Sequence, residues 1–402
     1  MRGKGVSHMI TREHYLEQIR PFYDSDLIKI ITGIRRCGKS VLMEQIETEL
    51  RAHGKRTLTL NFEKLSTSQR ISNAAILEHE VKSQLGAEKL YVFLDEVQNV
   101  PNWNLACRSL RLENTSLFIT GSNSKLLSKE FTRELSGRYV SFCVRPFVWK
   151  ELREYSEELG RKATITDYLT YGGFPQRLEY TDTPTVLRYL NDLDHTIVMN
   201  DLLNRYAIRK TQLFEKLVNF VLVSNARIFS AASVQKVLVG QKMTCSLNTV
   251  MKYLSYLEEA YVIRRIPQWS AKAKRHLSFY AKLYDEDVAF NTIRQTGGRP
   301  DLTHNLENVV YNELAFRGYE LTVYNENGRE IDFLAEKDGR QYLVQVAYSI
   351  AEETTYNREF ALFNTLDQSR KKIIITADEA DYTTSTVQHI PLSRFLEMDT
   401  LD

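Results

Sequence analysis

The segment Gly33–Ser40 is the feature that most constrains what this chain can fold into. It reads GIRRCGKS and matches the pattern GxxxxGK[ST] at every fixed position. A short apolar run, residues 27–32, precedes it, and after it apolar residues recur at helical spacing over residues 41–50. Strand, glycine-bounded loop and helix therefore follow one another in the order that a phosphate-binding loop requires. The sequence predicts a P-loop domain.

The residues of this loop are suited to hold a nucleotide together with a magnesium ion. Glycine at both fixed positions lets the backbone curl, so that several N–H groups point at the β-phosphate. Lys39 is expected to reach the β- and γ-phosphate oxygens, and the Ser40 hydroxyl to ligate Mg²⁺. ATP and Mg²⁺ are therefore the expected cofactors, while the side chains of Arg35 and Arg36 are expected in solvent. The predicted nucleotide-binding residues are Gly33, Ile34, Arg35, Arg36, Cys37, Gly38, Lys39, Ser40 and Val41.

A second apolar run, residues 90–94, ends in the acid pair Asp95 and Glu96. A site that hydrolyses a nucleotide needs a carboxylate beside the metal and a base for the attacking water. Asp95 is predicted to lie in the outer shell of Mg²⁺, and Glu96 to polarise the water. A strand that ends in two solvated acids is the alternative, and the combination with the phosphate loop favours the catalytic interpretation.

Polar residues follow a third apolar run and precede a fourth. Residues 116–121 lead into Ser122 and Asn123, either of which could hydrogen-bond the γ-phosphate or the water from the tip of a strand. Arg138 stands just before the run 139–144. It is predicted to stabilise transition-state charge, either in its own molecule or in a neighbouring subunit. A structural salt bridge is the alternative for this arginine.

Together these segments resemble a prokaryotic AAA-type ATPase family, whose members join an AAA domain to a C-terminal domain of undefined function. The resemblance covers nearly the whole chain and rests on ITGIRRCGKS, VFLDEVQNV, FITGSNS, LSGRYVSF followed by RPFVWKEL, and YGGFP at residues 171–175. It implies a five-stranded parallel sheet with a catalytic glutamate. It places Ser122 or Asn123 at the sensor 1 position and Arg138 at the arginine-finger or sensor position. It also implies a homo-oligomer, a ring or a dimer, if Arg138 acts on a neighbour.

The pattern of apolar residues predicts four segments. Residues 1–26 are expected to form an N-terminal leader and helix. Residues 27–199 alternate apolar runs with amphipathic stretches, which predicts an α/β P-loop NTPase with a parallel sheet and a helical lid. Residues 200–298 are predicted to form a winged-helix domain. Residues 299–402 are predicted to form a restriction-nuclease-like α/β domain.

The cysteines and the apolar runs bear on the compartment. The four cysteines form no CxxC pair, and the chain has 402 residues. A chain of this length builds a core without disulfides, so reduced thiols and a cytoplasmic protein are expected. No apolar run approaches the roughly 20 residues of a membrane-spanning helix, so no membrane partner is expected.

A net charge of +2 hides an uneven distribution. Residues 200–299 contain 16 Lys and Arg against 7 Asp and Glu, whereas residues 300–402 contain 9 against 19. The basic segment favours a nucleic-acid partner, and the acidic one repels a phosphate backbone unless a metal offsets the charge. Uneven solvated surface is the alternative explanation for the basic segment.

The basic segment has the element order of a winged helix. Residues 212–290 contain three helical patterns, a turn around Gly240, and two alternating runs that indicate a hairpin wing. Trp269 lies among basic wing residues that could neutralise phosphates. Double-stranded DNA is therefore an expected partner, and a packing lid or a subunit contact is the alternative. The residues concerned are Arg264, Arg265, Lys272, Lys274, Arg275 and His276 in the wing, and Ser246, Asn248, Thr249 and Lys252 on the third helix.

The C-terminal segment resembles the core of PD-(D/E)XK nucleases, which combine a helix glutamate, a strand aspartate and a [D/E/Q]-x-K pattern. Such a site holds a metal with its acids and orients a water with its lysine. The predicted ligands of this second metal site are Glu307 or Glu313, Asp332 and Gln345. The lysine position is Ala347, however, and the next lysine along the chain is Lys371, so no lysine is expected nearby. We expect an interaction or assembly domain, with slow metal-dependent cleavage as the alternative.

These motifs support functions from different classes. The leading prediction is a Mg²⁺-dependent ATPase that uses ATP binding and hydrolysis as a molecular switch, coupled to DNA binding. One alternative is a DNA-binding module with a metal-dependent nuclease domain. The other is a protein-assembly scaffold with a degenerate nuclease fold.

Overall fold

The computed structural model describes residues 9–121, 137–269, 281–295, 297, 299–326, 329–364, 366 and 369–402. These residues form two compact units. The first contains the described residues up to Pro146 together with Glu259–Tyr261, and the second contains those of Phe147–Glu258 and Val262–Asp402. The helices that follow Pro146 thus group with the remainder of the chain. The predicted segment bounds at residues 26, 199 and 298 stay predictions.

A parallel sheet forms the centre of the first unit. Its strands are β1 (Ile28–Thr32), β2 (Arg56–Asn61), β3 (Leu90–Asp95), β4 (Thr115–Thr120) and β5 (Tyr139–Cys143). Their order is β2-β3-β4-β1-β5, and every neighbouring pair is parallel. The strands β1, β3 and β4 are buried along their whole length, because a parallel sheet is covered on both faces. The prediction of a five-stranded parallel sheet is confirmed.

Helices flank this sheet and carry the chain from strand to strand. The described ones are α1 (Glu13–Ile19), α2 (Lys39–Ala52), α3 (Leu65–Arg70), α4 (Ala74–Lys82) and α5 (Trp103–Leu110), with 3₁₀ turns at Arg20–Phe22 and Val97–Asn99. The Asn73 side chain caps α4 by accepting a hydrogen bond from Ile76 N (3.1 Å). Leu77 of α4 and Leu110 of α5 pack in one apolar cluster with Val92 of β3. Because all five strands run parallel, their carboxyl ends share one edge of the sheet.

The second unit begins with helices. They are α6 (Trp149–Glu158), α7 (Ile165–Tyr171), α8 (Thr183–Asp194) and α9 (Leu202–Arg205), with a 3₁₀ turn at Pro175–Glu179 and a π-helical turn at His195–Asp201. The two glycines of the YGGFP segment allow Phe147 and Asp287 to lie close to its backbone. A Cβ at Gly173 would lie 1.9 Å from the Phe147 carbonyl oxygen, and one at Gly172 would lie 1.5 Å from Asp287 Oδ1. Gly173 N in turn donates to Asp287 Oδ2 (2.7 Å).

Helices and a small antiparallel sheet make up the middle of this unit. They are α10 (Thr211–Val223), β6 (Arg227–Phe229), α11 (Ala231–Gly240), α12 (Leu247–Glu259), β7 (Ile263–Pro267) and β8 (Ala281–Asp285). The sheet has the order β6-β8-β7. The apolar stripes of the helices are buried, with Leu217 in α10 and Leu254 in α12 as examples. The winged-helix interpretation of these elements stays a prediction.

A mixed sheet covered by helices forms the C-terminal part. The elements are α13 (Ala289–Arg294), α14 (Leu302–Phe316), β9 (Glu320–Glu326), β10 (Arg329–Lys337), β11 (Arg340–Val346), α15 (Glu353–Ala361), β12 (Lys371–Thr376), β13 (Gln388–Pro391) and α16 (Leu392–Glu397). The sheet order is β13-β12-β11-β10-β9. The pairs β9–β10 and β10–β11 are antiparallel, and the other two pairs are parallel. The nuclease-like interpretation of this part stays a prediction.

A buried network of asparagines joins the middle and C-terminal parts of the second unit. Asn225, Asn291, Asn305 and Asn308 have no exposed surface. Asn225 Nδ2 donates to Asn305 Oδ1 (3.2 Å), and Asn291 Nδ2 donates to Asn225 Oδ1 (3.1 Å). Asn308 Nδ2 donates to the carbonyl of Asp285 in β8 (2.8 Å). Because buried amides are stable only when hydrogen-bonded, these contacts fix β8 and α13 against α14.

Among the described residues, no helix combines the length and the apolar character that crossing a membrane requires.

Candidate nucleotide-binding site

The loop Gly33–Ser40 connects β1 to α2 and has a backbone that requires its two motif glycines. Gly33 has φ 140° and Gly38 has φ 97°, a region that residues with a Cβ rarely adopt. A Cβ at Gly33 would also lie 2.1 Å from the Val144 carbonyl oxygen. Among the other loop residues, Ile34 and Cys37 are fully buried, Arg35 and Val41 are half-buried, and Arg36 is exposed.

Lys39 opens α2, and its side chain turns back into the loop. The residue is only 5% exposed. Its Nζ donates to the carbonyl oxygens of Gly33 (3.1 Å) and Ile34 (3.0 Å). The ammonium therefore lies inside the curve of the loop, at the amino end of a helix, where anions are attracted. This position suits a group that neutralises phosphate oxygens.

Asp95, at the carboxyl end of β3, is the centre of a hydrogen-bonded cluster. Asn61 Nδ2, at the end of β2, donates to its Oδ2 (2.7 Å). The Thr120 hydroxyl, at the end of β4, donates to its Oδ1. The Ser40 hydroxyl, at the start of α2, lies 3.2 Å from the same oxygen. Three neighbouring strand ends and one helix therefore hold a single buried carboxylate beside the loop.

The Ser40 hydroxyl and the Asp95 carboxylate fit a magnesium ion that is bound together with a nucleotide. Mg²⁺ in such sites takes one or two protein oxygens and completes its shell with phosphate oxygens and water. Within the residues that the structure describes, no group of three or more His, Cys, Asp or Glu side chains is arranged to hold a metal. The protein alone supplies too few ligands here, so the fit is to a metal that arrives with its nucleotide.

Glu96 follows Asp95 and has a strained backbone. Its φ is 54°, in the left-handed region that only a few per cent of non-glycine residues adopt. Glu96 N donates to the Thr120 hydroxyl oxygen (2.9 Å), and Gln98 Nε2 donates to Glu96 Oε2. The carboxylate is half-buried at the same sheet edge as the phosphate loop. Thr120 therefore links the two acids through one hydroxyl.

Arg138 lies at the opposite end of the sheet. It is exposed and immediately precedes β5, and its carbonyl accepts a hydrogen bond from Ile28 N (3.0 Å) at the start of β1. From Ile28 to Gly33 the chain spans about 16 Å, at about 3.3 Å per residue of extended strand. An arginine side chain is much shorter than this distance. The geometry therefore separates Arg138 from the phosphate loop of its own chain.

Two polar strand-end residues contribute to the site although sequence reasoning did not select them. Ser122 and Asn123, which it did select, lie outside the described residues. Instead, Asn61 and Thr120 contact the metal-side carboxylate. A signal for both existed, since each is the last residue of a strand-like run, and the carboxyl ends of parallel strands gather at one edge where ligands bind.

Arg12, just before α1, is a further residue that sequence reasoning missed. It is 2% exposed. Its guanidinium donates to the carbonyl oxygens of Cys37 (2.9 Å) and Arg145 (3.1 Å). Its own N donates to Gln45 Oε1 (3.1 Å) in α2. Arg12 thus connects the phosphate loop to the segment that follows β5.

The residues of the predicted second metal site are only partly brought together. Glu307 of α14 and Asp332 of β10 face one point, and Gln345 of β11 accepts a hydrogen bond from Asp332 N (3.2 Å). Glu313 lies elsewhere. Its Oε1 accepts hydrogen bonds from Trp149 N (2.7 Å) and the Tyr168 hydroxyl (3.2 Å), and its Oε2 pairs with Arg317 (3.1 Å). The two glutamates are six positions apart on α14, so they point in different directions.

A lysine does lie in this cluster, and the expectation that none would be nearby was wrong. Lys282 of β8 places its Nζ 2.7 Å from Asp332 Oδ1 and 3.1 Å from Glu307 Oε1. The expectation considered only the chain that follows Ala347, whereas the fold brings the lysine from a strand that precedes the C-terminal segment. Sequence separation along one segment cannot reveal a contact between different elements.

The protonation of this cluster follows from its burial and its charges. Burial raises the pKa of Glu307 to about 8, and the charge of Asp332 adds to that rise. Burial lowers the pKa of Lys282, but the charges of Asp332, Glu307 and Glu330 outweigh it and raise that pKa above its usual value. The three acids therefore keep the lysine charged, while burial disfavours the charged form of Glu307.

Several residues proposed for nucleic-acid contact are engaged within the second unit. Arg264 pairs with Glu286 (2.7 Å), and Arg265 pairs with Glu258 (2.7 Å). The ring of Trp269 stacks on that of Tyr324, with centroids 5.0 Å apart. Lys272, Lys274, Arg275 and His276 lie outside the described residues. On the third helix of this part, α12, and at the residue before it, Ser246, Asn248 and Lys252 are exposed and Thr249 is half-buried.

Comparisons with known families divide the chain into three parts. Residues 25–153 match the family described as an AAA domain. Residues 162–293 and 303–395 match two families, each described as a domain of unknown function (DUF8612 and DUF4143).

Relatives and a solved structure extend the comparison. An uncharacterized Haemophilus influenzae protein is 32% identical over 381 residues, which cover 92% of this chain and 93% of that protein. An uncharacterized Methanocaldococcus jannaschii protein is 30% identical over 383 residues, which cover 88% and 82%. The solved Walker-type ATPase of Pyrococcus abyssi has 15% identity, covers 73% of this chain and 98% of its own, and superposes with a TM-score of 0.50, which bears on the fold alone. The chain belongs to the same family as the two uncharacterized proteins, and its AAA domain makes it a prokaryotic AAA-type P-loop protein.

Proposed function

We propose that the protein is a Mg²⁺-dependent ATPase that uses ATP binding and hydrolysis as a molecular switch. The observation that carries the proposal is the sheet edge where Lys39, Asp95 and Glu96 gather beside the phosphate loop. Lys39 donates to two loop carbonyls, the Asp95 carboxylate accepts from the Thr120 hydroxyl, and Glu96 N donates to the same hydroxyl. The arrangement supplies a phosphate-binding cation, a metal-side carboxylate and a base.

The nucleotide is bound by the loop and by the start of α2. Backbone N–H groups of Gly33–Ser40 donate to the β-phosphate, and Lys39 exchanges its two carbonyl partners for β- and γ-phosphate oxygens. Ser40 would ligate the magnesium ion that accompanies the nucleotide, and Asp95 would hold it from the outer shell. When bound, Mg²⁺ neutralises the charge that develops between the β- and γ-phosphates.

Hydrolysis is assigned to Glu96, which orients the attacking water and accepts its proton. The Thr120 hydroxyl accepts from Glu96 N and donates to Asp95, so it ties the backbone of the base to the metal-side carboxylate. Ser122 and Asn123 are the proposed sensors that contact the γ-phosphate or the water. Their assignment rests on sequence alone.

Arg138 is proposed to stabilise the transition state of a neighbouring subunit. Its position at the end of the sheet opposite the loop supports action on another chain over action on its own. A homo-oligomer, a ring or a dimer, is therefore part of the proposal. Hydrolysis at one nucleotide site then requires the arginine of an assembled neighbouring subunit.

Glu96→Gln tests the base. The variant should bind ATP as tightly as the parent and lose turnover by about 100-fold or more, since a general base contributes about that much. Phosphate release and titration with a fluorescent ATP analogue measure the two quantities. Glu88→Gln, at an exposed acid just before β3, is the matched control and should turn over normally. Unchanged turnover in Glu96→Gln would remove this residue as the base.

A mixing experiment tests the action of Arg138 on a neighbour. Arg138→Ala alone should bind ATP and turn over slowly, like Glu96→Gln. Mixed with Glu96→Gln chains, it should recover activity, because an Arg138→Ala site keeps its base and receives an arginine from the other chain. A monomer in sedimentation, or a mixture no more active than its parts, would contradict the assignment.

A second candidate function is DNA binding by the basic middle segment, coupled to the nucleotide state. The observation that favours it is the exposure of Asn248 and Lys252 on α12 and the position of Lys236 on α11, whose side chain reaches the surface. Arg264, Arg265 and Trp269 make contacts within the chain. The lysines of α11 and α12 are therefore the better-supported candidates for contact with DNA. The alternative for this segment is a subunit or packing contact.

A further inference from the structure

Three carboxylates surround the ammonium of Lys282 in the second unit. The Nζ lies 2.7 Å from Asp332 Oδ1, 3.0 Å from Glu330 Oε1 and 3.1 Å from Glu307 Oε1. The side chains of Lys282, Asp332 and Glu307 are 6%, 9% and 12% exposed, and that of Glu330 is 28% exposed. Carboxylate oxygens are the donors that Mg²⁺ or Mn²⁺ prefers, but these three, two from β10 and one from α14, are arranged around the ammonium, and no group of three acids among the described residues is arranged to hold a metal.

The neighbours of the carboxylates hold them in this arrangement. Asp332 Oδ2 accepts from Val346 N (2.9 Å), and Glu307 Oε1 accepts from the Tyr284 hydroxyl (2.7 Å). The pairing of β10 with β9 shifts register between Ile331 and Leu334, a bulge of the kind that re-aims a side chain. The cluster is therefore a built site, in which every carboxylate has a direct contact with the same cation.

This cation comes from outside the segment that supplies the carboxylates. Lys282 belongs to β8, which pairs with β6 and β7, whereas Asp332 and Glu330 lie on β10. At the position where a nuclease pattern has its lysine, the chain has Ala347. The donor set thus does not fit an added metal, because an ammonium already takes the central position. A lysine ammonium is a compact point charge and can fill such a place.

We propose that Lys282 is a built-in cation that replaces the divalent metal of this carboxylate cluster. Asp332 and Glu330 would otherwise be buried or half-buried charges without a counter-ion, which is costly. The C-terminal part then has no open metal position at this cluster and cannot activate a water on a metal there. The cluster instead ties β8 to β10 and α14. This inference does not depend on ATP hydrolysis in the first unit.

A cavity connects the cluster to its surroundings. It has a volume of about 300 Å³, and Lys282 and Glu330 are among its lining residues, with Ile228, Gln268, Val323 and Asn325. Glu330 is the most exposed of the three acids. An ion from solvent therefore has a path to the carboxylates once the lysine side chain is shortened.

Manganese binding tests the proposal. Asp95→Asn serves as the parent, so that the nucleotide site does not contribute a carboxylate. Adding Lys282→Ala should create one Mn²⁺ site per chain, bound at least about tenfold more tightly than any site in the parent. Electron paramagnetic resonance of free Mn²⁺ counts the bound ions. Adding Asp332→Asn to Lys282→Ala should abolish the new site. If Lys282→Ala binds Mn²⁺ no better than the parent, the proposal is overturned.

Thermal stability provides a second readout. Without metal, Lys282→Ala should unfold about 6 °C or more below the parent, because it leaves buried carboxylates unpaired, and Mn²⁺ should restore much of that stability. The neutral combination Lys282→Met, Glu307→Gln and Asp332→Asn should stay within a few degrees of the parent and gain nothing from Mn²⁺. If Lys282→Ala does not fold, the neutral variant is the deciding measurement. A neutral variant that also fails to fold would contradict a charge-balancing role for Lys282.

Nuclease assays test the contrary case, in which a metal ion enters the cluster and supports DNA cleavage. Plasmid incubated with the parent and Mn²⁺ should remain uncut. Cleavage that disappears in Asp332→Asn would show that a metal enters the cluster with Lys282 present, and this result would overturn the proposal.

Discussion

Lys29 is a lysine without exposed surface in the central sheet of the first unit. It is the second residue of β1, and its Nζ donates to the Ser116 hydroxyl (2.7 Å) and to the Ser25 carbonyl (3.2 Å). The Nζ also lies 4.7 Å from the centre of the Phe118 ring. Burial, with a smaller effect of the Lys89 charge, lowers the pKa of Lys29 to about 7.

This pKa predicts how stability depends on pH. Between about pH 7 and 10.5 the unfolded chain holds the Lys29 proton and the folded chain does not, so stability rises with pH across this window. Below pH 7 both states are protonated, and the full cost of burying the charge is present. The stability of Lys29→Met relative to the parent should therefore increase by a few kcal/mol as pH falls from 10 to 7, at about 1.4 kcal/mol per unit of pKa shift.

Denaturant unfolding at several pH values measures this difference. Lys55→Met, at an exposed lysine of the same unit, is the control and should follow the parent at every pH. Curves for Lys29→Met that run parallel to those of the parent from pH 7 to 10 would contradict the assigned pKa.

Between elements, the phosphate loop is held by a residue that belongs to neither the loop nor the sheet. Arg12 precedes α1 and hydrogen-bonds the carbonyls of Cys37 and Arg145. The Gln45 side chain fastens this segment to α2 by accepting from Arg12 N and donating to the Ile10 carbonyl (2.6 Å). We infer that Arg12 is a positioning residue for the loop. We therefore expect the N-terminal segment to influence ATP binding through the position of the loop.

Arg12→Met should weaken ATP binding by about tenfold or more, since it removes two charge-assisted hydrogen bonds to backbone carbonyls beside the loop. Titration with a fluorescent ATP analogue measures this change, and Arg12→Lys should recover part of the affinity. Arg20→Met is the matched control, because Arg20 pairs with Glu13 and Glu49 away from the loop. If a folded Arg12→Met protein binds ATP as tightly as the parent, the loop does not need Arg12 to keep its conformation.

Short sequence motifs at the ends of strands and helices predicted much of the nucleotide site, because the residues of each motif are adjacent in the chain. The glycine-bounded loop and the acid pair after β3 occur as contiguous motifs, and parallel strands bring their carboxyl ends together. The contributions of Asn61 and Thr120 were not predicted, although both end strands. A single polar residue at a strand end is too common to select before the strand order is known. The order β2-β3-β4-β1-β5 puts both beside Asp95.

Over the whole molecule, the uneven charge is the feature that bears on partners. The basic segment of residues 200–299 contains 16 Lys and Arg against 7 Asp and Glu, but not all of its cations face solvent. Lys282 is enclosed by carboxylates, and Arg264 and Arg265 are paired. The exposed lysines of α11 and α12, with Lys242 in the turn between them, are among the surface cations of this part that could meet a phosphate backbone.

Replacing Lys236, Lys242 and Lys252 together by alanine tests DNA binding by this surface. If the surface binds double-stranded DNA, affinity should fall for every sequence, and the slope of log affinity against log salt should decrease by about one for each phosphate that is no longer neutralised. Gel-shift measurements over a salt series, with and without ATP, give both quantities. Replacing the exposed Lys55, Lys64 and Lys82 of the first unit is the control. Absence of binding by the parent at low salt would exclude DNA as a partner.

The sequence by itself determined the P-loop, the acid pair and a parallel α/β sheet, whereas the number of five strands was implied by the family resemblance. Each of the first three depends on residues that are neighbours in the chain or on a repeating apolar pattern, and both are visible without coordinates. The tertiary structure decided which distant residues meet. In the folded chain Arg12 contacts the loop, Glu313 lies away from the C-terminal cluster, and Lys282 of β8 lies within that cluster. Such contacts depend on the packing of separate elements, and a fixed sequence spacing does not encode them.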